Sequence, residues 1–395
     1  MPLILSNPIR AYAWGSPTVI PELLGVPPTG EPQAELWIGA HPGAPSIVEL
    51  DGSRVTLAEL IEKDPEGTLG PATLRRFGPR LPYLLKILAI DQPLSIQAHP
   101  TIEQAELGFA AEEAAGVPID APQRLYRDRM HKPEMIVALT DVTALLGFGQ
   151  PAESADLMAE LDVPDLRDDA ATLRKAGLEP VVRRWLLMPD DEVAVRVAAV
   201  VEAAGSSTTD LGHLIVRLGE RYPSDRGVLL ALLMRHERLR RGEAVFIPAG
   251  VPHCYLTGVA VEAQASSDNT LRAGLTPKHV DAAELARVLR YEAEDRLRVL
   301  PQRVGSHQAV FAPPVDEFEL AELALTDTPI TLGAGEPRVV LVTAGSAQVS
   351  AGGGTVRLAR GRAAFVPAGE GAATILGSGT AYVVSPGADL ADTAR

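Results

Sequence analysis

Three short segments of the sequence carry polar side chains two residues apart. The segments are Ser95–His99, His131–Met135 and Pro252–Tyr255. Successive side chains of a β-strand point to opposite faces, so residues two apart share a face. Each segment therefore predicts a row of polar groups on one side of a strand. Inside a small barrel, such a row is costly to bury unless an ion or ligand satisfies it.

Four of these polar side chains could together bind a metal ion. A lone His or Gln on a strand is more often a structural hydrogen-bonding residue, so the interpretation depends on finding the alternation in all three segments. A carbonyl oxygen, two imidazoles and one carboxylate suit a borderline divalent ion such as zinc, with one position open for water or substrate. Cys254 is on the opposite strand face and is expected to be a small buried residue. The expected ligands are Gln97, His99, Glu134 and His253.

An internal repeat indicates how these segments are arranged. Residues 238–250 read RLRRGEAVFIPAG, and residues 357–369 read RLARGRAAFVPAG. A glycine turn, an apolar strand and a Pro-x-Gly step before the next strand are typical of the hairpins of a jelly roll. His253 follows the first copy and Ala372 has the equivalent position after the second. We therefore expect two jelly-roll barrels of the cupin type, of which only the first binds metal.

Short apolar runs separated by Gly and Pro predict further strands in the first 149 residues. These strands are Glu35–Ile38, Tyr83–Ile90, Leu94–Ala98 and Met135–Leu139. Helices are expected at Thr56–Glu62 and directly after Thr101, where acidic residues suit the positive end of a helix. The glycines of Gly352–Gly354 predict a hairpin turn.

The character of the sequence changes between residues 150 and 223. Asp190–Glu192 forms the acidic first turn of a predicted helix that Gly205 ends, and apolar residues recur at helical spacing from Leu211 to Leu218. Strand-like sequence returns at Val228. This block predicts a helical insertion without chemistry of its own.

The predicted fold class is mainly β, with two cupin (jelly-roll) barrels and a helical domain inserted in the first. Residues 1–149 and 224–300 are expected to form the metal-binding barrel. Residues 150–223 form the insertion, and residues 301–395 form a metal-free, cupin-like domain.

Composition narrows the class of partner. The chain has 395 residues, 46% of them hydrophobic, and a net charge of -15. An acidic protein lacks the basic face that nucleic acid or an anionic membrane requires, and the run Arg235–Arg241 is expected to be a solvated strand edge or helix end. One cysteine, no basic leader and no apolar run of about 18 to 20 residues lead us to expect a cytoplasmic protein.

Longer motifs around the same residues closely resemble the signatures of type I mannose-6-phosphate isomerases. They read WIGAHP at 37–42, LPYLLK at 81–86, LSIQAHP at 94–100, HKPEM at 131–135, PAGVPHCY at 248–255 and SDNTLRAGLTPK at 267–278. The resemblance is highly specific and covers the chain from about Tyr12 to Lys278. The main departure is Cys254, where many relatives carry Ala.

The resemblance implies one Zn²⁺ per chain, held by the four ligands above, and an inserted helical domain followed by a metal-free cupin. It implies that the protein interconverts mannose 6-phosphate and fructose 6-phosphate. It also implies that this reaction serves the activation of mannose for GDP-mannose and glycan synthesis. The expected partner is a small sugar phosphate, and we expect a monomer.

Aldose–ketose isomerisation moves a proton between C2 and C1 through a cis-enediol, so it needs a cation beside the sugar oxygens and a proton carrier. The resemblance implies that Lys132 lies beside the metal as an acid/base candidate, although Lys132 could instead only neutralise Glu134. Glu262, in the strand-like run Val259–Ala263, is a second candidate base. His131 is a candidate for assisting sugar-ring opening, as proposed for similar enzymes. The group that takes the C2 proton stays open.

A phosphorylated substrate requires a locally positive site in this acidic protein. Arg272 and Lys278 are the leading candidates for binding phosphate or the enediolate, because a forked guanidinium binds phosphate oxygens in pairs. Lys86 and Ser95 are supporting candidates, and Tyr255, on the His253 face, is expected to contact substrate.

Two other functions use the same fold. An iron-dependent cupin oxygenase would share the carboxylate and imidazole ligands, but the cations that match phosphate recognition argue against it. A non-catalytic sugar-phosphate binding cupin would be expected to have a degenerate metal set, whereas this sequence keeps a complete one in its first barrel.

Overall fold

The computed structural model describes residues 1–50 and 52–390, and within them β-strands dominate. The strands are β1 Leu3–Ser6, β2 Ile9–Arg10, β3 Glu35–Gly39, β4 Ile47–Leu50, β5 Ser53–Thr56, β6 Tyr83–Ile90, β7 Ile96–Ala98, β8 Glu134–Ala138, β9 Val142–Phe148, β10 Met234–Leu239, β11 Ala244–Ile247, β12 His253–Ala265, β13 Leu271–Gly274, β14 Arg298–Val299, β15 Gln302–Val304, β16 Gln308–Phe311, β17 Glu319–Leu325, β18 Ile330–Leu332, β19 Arg338–Ala351, β20 Gly354–Ala359, β21 Ala363–Val366 and β22 Ala373–Ser385.

Six of the eleven α-helices in the described residues lie between residues 151 and 231. The eleven are α1 Val19–Leu24, α2 Leu57–Lys63, α3 Pro65–Phe77, α4 Ile102–Ala114, α5 Pro151–Leu161, α6 Arg167–Ala176, α7 Leu178–Leu187, α8 Asp190–Ala204, α9 Asp210–Arg221, α10 Arg226–Ala231 and α11 Ala282–Val288. Among the described residues, no helix combines the length and the apolar character needed to cross a membrane.

Most of the predicted elements are confirmed within a few residues. The strand predicted at Tyr83–Ile90 has those bounds, and helix α8 begins and ends within its predicted segment. Helices α2 and α4 each begin with a capping box, in which the side chains of Thr56 and Thr101 accept hydrogen bonds from the main chain three residues later. Helices α1, α3 and α11 were not predicted.

The prediction that strands resume at Val228 was wrong. Helix α10 occupies Arg226–Ala231, and strand β10 begins only at Met234. The Asp225 side chain accepts a hydrogen bond from the Gly227 main-chain N–H and thereby caps this helix. The run after Gly227 is apolar and buried on all sides, and such a run has no periodicity that separates a helix from a strand.

The first sheet contains eleven of the described strands, and β12 is its long central strand. Its main path runs β14-β11-β8-β12-β6-β3-β2, and β7, β9, β10 and β13 extend it. Residues 258–265 of β12 pair with β6, whereas its first residues pair with β7 and β9. Gly258, with φ of 115°, lies between the two halves, and a Cβ there would be 2.5 Å from the Asp141 carbonyl oxygen. Strand β12 therefore contributes residues both to the part of the sheet that contains β6 and to the part that contains β7 and β9.

The second sheet runs β15-β16-β17-β22-β19-β21-β1-β4-β5, with β18 and β20 attached. Leu3–Ser6 of β1 pairs with β21, so the N-terminal residues extend a sheet built otherwise from residues 302–385. Each copy of the sequence repeat forms a strand at the equivalent position, which is Ala244–Ile247 in the first copy and Ala363–Val366 in the second. The predicted hairpin turn at Gly352–Gly354 joins β19 to β20.

Alternation gives the central strands of the first sheet one apolar face and one mixed face. The apolar face, with Leu85, Val137 and Val261, packs on the second sheet in one core. The opposite face carries the polar residues of the site, and apolar residues such as Leu88 and Ile136 pack beneath them. Helices α5 to α10 pack on the part of the first sheet formed by β7 and β9.

Candidate active site

A cavity of about 1200 Å³ opens over the mixed face of the first sheet. One wall of the cavity consists of strand residues, and the other consists of loops and the end of the helical segment around Tyr222. The strand wall is strongly polar and includes Lys86, Gln97, Glu134, Glu262 and Gln264, and Lys132, just before β8, lies beside it.

The Glu134 carboxylate is the centre of a buried cluster behind this wall. Its Oε1 is 3.3 Å from His99 Nε2, and its Oε2 is 3.1 Å from His253 Nε2. The Gln97 amide nitrogen is 3.3 Å from His253 Nε2. The ligand atoms of the two histidines and the glutamate all lie within 4.8 Å of one another. Strands β7, β8 and β12, with His99 directly after β7, thus bring together the four predicted ligands.

Main-chain carbonyls set the tautomer of both imidazoles. His99 Nδ1 donates to the Asn269 carbonyl oxygen at 2.7 Å, and His253 Nδ1 donates to that of Val251 at 3.1 Å. Burial lowers the pKa of His99 to about 4, so this imidazole is neutral near pH 7. His99 Nε2 therefore directs a lone pair toward the Glu134 carboxylate, which is itself only an acceptor. A cation between these acceptors would resolve the conflict.

Lys132 stabilises the charge of Glu134. Its ammonium group is 2.9 Å from Glu134 Oε1 and 3.5 Å from the Thr270 hydroxyl. Burial alone would raise the pKa of Glu134, but the ammonium group of Lys132 outweighs burial and holds that pKa well below its usual range. Glu134 is therefore an anion in the folded protein.

A second charged group forms where β6 pairs with β12. Glu262 lies directly opposite Lys86, whose Nζ is 2.8 Å from Glu262 Oε2 and 3.8 Å from Glu35 Oε2. Burial opposes the charge of Lys86, but Glu262 and Glu35 outweigh it and raise the pKa of the amine. Burial raises the pKa of Glu262 to about 6 in spite of Lys86. One ammonium group therefore faces two carboxylates, and one of these titrates near neutrality.

Three cations face the cavity without a carboxylate partner among the described residues. Within residues 1–50 and 52–390, Arg127, Arg272 and Lys278 make no ion pair. Burial and then Arg127 lower the pKa of Arg272, while burial and then Arg272 lower that of Lys278. The Lys278 ammonium also lies 5.1 Å from the centre of the Tyr12 ring. Cations that depress one another's pKa values favour an anionic ligand.

Nine of the twelve sequence-predicted site residues line this cavity, and two more, His99 and His253, contact Glu134 from behind its wall. The nine are Lys86, Ser95, Gln97, Lys132, Glu134, Tyr255, Glu262, Arg272 and Lys278. Cys254 points to the other face, as expected, where its thiol donates to the Leu94 carbonyl oxygen at 3.0 Å. Burial raises the pKa of that thiol.

The structure does not bring His131 to the cavity. Its Nε2 is 2.6 Å from Oε1 of Glu317, a residue of the C-terminal third of the chain. The expectation treated His131 as part of a regular strand, but β8 begins only at Glu134, after Pro133, which has no N–H for a ladder. No pattern in the sequence indicated that a distant carboxylate would bind this imidazole.

Sequence reasoning missed Arg127, Glu35 and Gln264. Arg127 stands four residues before His131 in a basic stretch, which was the available signal. Gln264 was visible only by extending the alternation of Glu262 along the strand. In the described residues, the buried Oε1 of Gln264, the hydroxyl of Tyr255 and Nε2 of His99 have no hydrogen-bond partner. Three such atoms around one cavity indicate a site built for a ligand or ion.

The chain is similar to known phosphomannose isomerases over most of its length. The family model of the phosphomannose isomerase type I catalytic domain matches residues 3–151. Mannose-6-phosphate isomerase of Escherichia coli strain K12 is 37% identical over 394 residues, covering 95% of this chain and 97% of that protein. The human enzyme of the same name is 34% identical over 353 residues and covers 80% of each chain.

The solved structures show the same likeness in three dimensions. Mannose 6-phosphate isomerase from Salmonella typhimurium, bound to its substrate fructose 6-phosphate and to zinc, aligns with a TM-score of 0.91 at 35% identity. The alignment covers 98% of this chain and 100% of the Salmonella chain. A zinc-bound mannose 6-phosphate isomerase structure gives the same TM-score and coverage.

Proposed function

Because this chain belongs to the family of type I phosphomannose isomerases, we propose that it interconverts D-mannose 6-phosphate and D-fructose 6-phosphate. One observation carries the proposal: the buried cluster of His99, Glu134 and His253 borders the same cavity as Arg272 and Lys278, which make no ion pair within the described residues. A sugar phosphate needs both ends of this arrangement, one for its reacting oxygens and one for its phosphate.

The donor atoms fit one Zn²⁺ per chain. His99 and His253 offer Nε2 lone pairs, Glu134 offers its carboxylate, and a half-turn of the Gln97 amide would exchange its nitrogen for its carbonyl oxygen. Zinc is a metal that this mixture of nitrogen and oxygen ligands suits. When bound, the ion supplies a Lewis acid that stabilises negative charge developing on the sugar oxygens.

Glu262 is the proposed base for the proton at C2. Transfer through a cis-enediol requires a group that is ionised near neutral pH and still basic enough to take a carbon-bound proton. A carboxyl group whose pKa is raised to about 6 meets both conditions. Lys86, already paired with Glu262 at 2.8 Å, is assigned to orienting this carboxylate rather than to binding phosphate.

Lys132 is the proposed proton carrier for the sugar oxygens. Its ammonium group is held by Glu134 and by the Thr270 hydroxyl, and Lys132 lines the cavity. The ammonium group is therefore fixed in position and still open to a ligand in the cavity. A positioned ammonium group can donate a proton to an oxygen that gains negative charge and can later take it back.

Arg272 and Lys278, joined by Arg127, are the proposed phosphate-binding residues. The geometry of a guanidinium group matches that of phosphate oxygens. Among the described residues, no carboxylate forms an ion pair with Arg127 or Arg272, so both are available to bind phosphate. The hydroxyls of Ser95 and Tyr255 line the same cavity and are assigned to hydrogen bonds with the sugar.

We further propose the domain division expected from the sequence: a metal-binding cupin barrel of residues 1–149 and 224–300, a helical insertion at 150–223 and a metal-free cupin at 301–395. Helices α5 to α9 lie within the proposed insertion, which supports its bounds. Strands β1, β4 and β5 nevertheless join the second sheet, so the proposed barrels share the N-terminal residues. A monomeric, cytoplasmic enzyme that serves GDP-mannose synthesis completes the proposal.

A coupled assay tests the proposed function directly. Purified protein would be assayed with mannose 6-phosphate under anaerobic conditions, before and after chelation, with metal analysis of each sample. We expect turnover that follows zinc content and returns when zinc is restored. Activity that needs oxygen would indicate a cupin oxygenase, and zinc-loaded protein that binds the sugar phosphate without turnover would indicate a binding protein.

A further inference from the structure

A buried amide joins two loops beside the cavity. Asn269 is fully buried in the loop 267–270, which leads into β13. Its side chain reaches across to the main chain of the loop 127–130, which precedes Lys132. Neither loop is part of a helix or strand, so their relative position depends on contacts of this kind.

The Asn269 amide fits its surroundings at both ends. Its Oδ1 accepts from the main-chain N–H groups of Arg127 at 2.7 Å and Asp128 at 3.3 Å. Its Nδ2 donates to the carbonyl oxygens of Asp128 and Met130, each at 2.8 Å. Because donors face the oxygen and acceptors face the nitrogen, only one orientation of the amide satisfies all four groups.

Further bonds tie the same two loops together. The Asp128 carboxylate accepts from the Ser267 hydroxyl at 2.9 Å and from the Asp268 main-chain N–H at 2.9 Å. The Ser267 hydroxyl in turn accepts from the Asn269 main-chain N–H at 3.2 Å. Asn269 therefore sits at the centre of a network that leaves its backbone little freedom.

The backbone of Asn269 has its own contact with the metal cluster. Its carbonyl oxygen is the acceptor, at 2.7 Å, for His99 Nδ1. This bond holds the proton on Nδ1 and turns the Nε2 lone pair toward Glu134. On the other loop, the amide fixes the backbone of Arg127, whose guanidinium lines the cation side of the cavity.

We propose that Asn269 is a positioning residue for both ends of the site. Its side chain locks the loop 127–130 against the loop 267–270, and its carbonyl, thereby fixed, orients His99 as a metal ligand. The same lock sets the separation between His99 and the guanidinium of Arg127. This role rests on the metal site of the proposed function, but the tautomer of His99 can be measured without any metal.

The variant Asn269→Asp tests the proposal with almost no change of shape. One carboxylate oxygen would face the carbonyl oxygens of Asp128 and Met130, so the lock should open. We expect zinc to bind about 10- to 100-fold more weakly in competition with a chelator. We also expect the ¹⁵N spectrum of His99 in the metal-free protein to change from a single Nδ1–H tautomer to a mixture. Asn269→Ser serves as a second variant if the first does not fold.

The matched control is Asp169→Asn in the helical segment. The Asp169 carboxylate is also fully buried and hydrogen-bonded, to Trp185 Nε1 at 3.0 Å and to Arg196, so its loss lowers stability far from the cavity. Its zinc affinity and His99 spectrum should match the wild type.

Two results would overturn the positioning role. One is an Nε2–H tautomer of His99 in the metal-free wild type. The other is Asn269→Asp protein that unfolds at a lower temperature but keeps wild-type zinc affinity and tautomer, which would make Asn269 merely structural. Wild-type protein that binds no zinc, with His99 as the Nδ1–H tautomer, would contradict the proposed function and leave the positioning of His99 supported.

Discussion

Arg272 lies directly opposite Gln97 where β13 pairs with β7. Residues opposite each other in an antiparallel pair share a face, so the guanidinium emerges beside the metal cluster. Both residues line the cavity. The pairing of two short strands therefore places a proposed metal ligand next to a proposed substrate-binding cation.

Replacing Arg272 with Ala should leave zinc bound and impair turnover of the phosphorylated sugar. Loss of one buried, charge-assisted contact costs about 2 to 5 kcal/mol, which is roughly 30-fold to several thousand-fold in kcat/KM. Arg272→Lys should recover only part of this, because an ammonium cannot form a paired contact with phosphate. Arg303→Ala, on the exposed strand β15, is the control. Normal kinetics for Arg272→Ala would refute its assignment.

Replacing Glu134 with Ala should remove stoichiometric zinc and isomerisation together. The change takes away the single carboxylate among the proposed ligands and leaves two imidazoles and an amide. We expect kcat/KM to fall at least about 100-fold, measured beside metal analysis of the purified protein. Glu243→Gln, a surface carboxylate paired with Arg298, should retain both properties. A fully active, metal-free Glu134→Ala protein would rule out the proposed site.

Lys132→Arg separates the two roles considered for Lys132. Arginine keeps the positive charge beside Glu134 but does not exchange a proton near neutral pH. If Lys132 carries protons, this variant should bind zinc and lose roughly 100-fold or more in kcat. If Lys132 only neutralises Glu134, kcat should stay close to that of the wild type. Single-turnover measurements with zinc-saturated protein distinguish the two outcomes.

The pH dependence of kcat/KM should report Glu262. The base acts as a carboxylate, so activity should be present above its pKa of about 6 and be lost as the pH falls through that value. Glu262→Gln should lose at least about 100-fold in activity and should lack this acid limb. The assay would run from about pH 5 to about pH 8 at saturating zinc. If Glu262→Gln keeps an unchanged acid limb, that limb reports the titration of a group other than Glu262.

Replacing His131 with Phe should affect stability rather than catalysis. Burial opposes the charge of Glu317, but the hydrogen bond from His131 outweighs it and lowers the pKa of that carboxyl. A depressed carboxyl pKa stabilises the fold above its unfolded value of about 4.3, and this contribution is lost as the pH falls through the native pKa. We expect a loss of about 1 to 3 kcal/mol in urea unfolding near pH 7.

Glu317→Gln is the matched variant for His131→Phe, since it removes the other half of the same contact. Both variants should keep kcat/KM within about twofold of the wild type, because neither residue lines the cavity. A large fall in kcat for His131→Phe alone would restore the catalytic role expected from the sequence.

Sequence reasoning was most successful where one strand contains the whole argument. The side chains of His253 and Cys254 diverge because they are adjacent in β12, whereas Lys132 meets Glu134 from the segment just before β8. It failed where a segment had no period, as at helix α10, and where a residue left the strand, as His131 did before Pro133. Alternation describes the backbone of a strand and says nothing about a loop.

The sequence by itself determined which side chains could be metal ligands, because the two-residue period of a strand is a local property that needs no knowledge of partners. Only the tertiary structure decided that Glu262 faces Lys86, that Arg127 joins Arg272, and that β1 extends the second sheet. Strand pairing and loop contacts join residues far apart in the chain. Their choice depends on packing of the whole protein rather than on any local pattern.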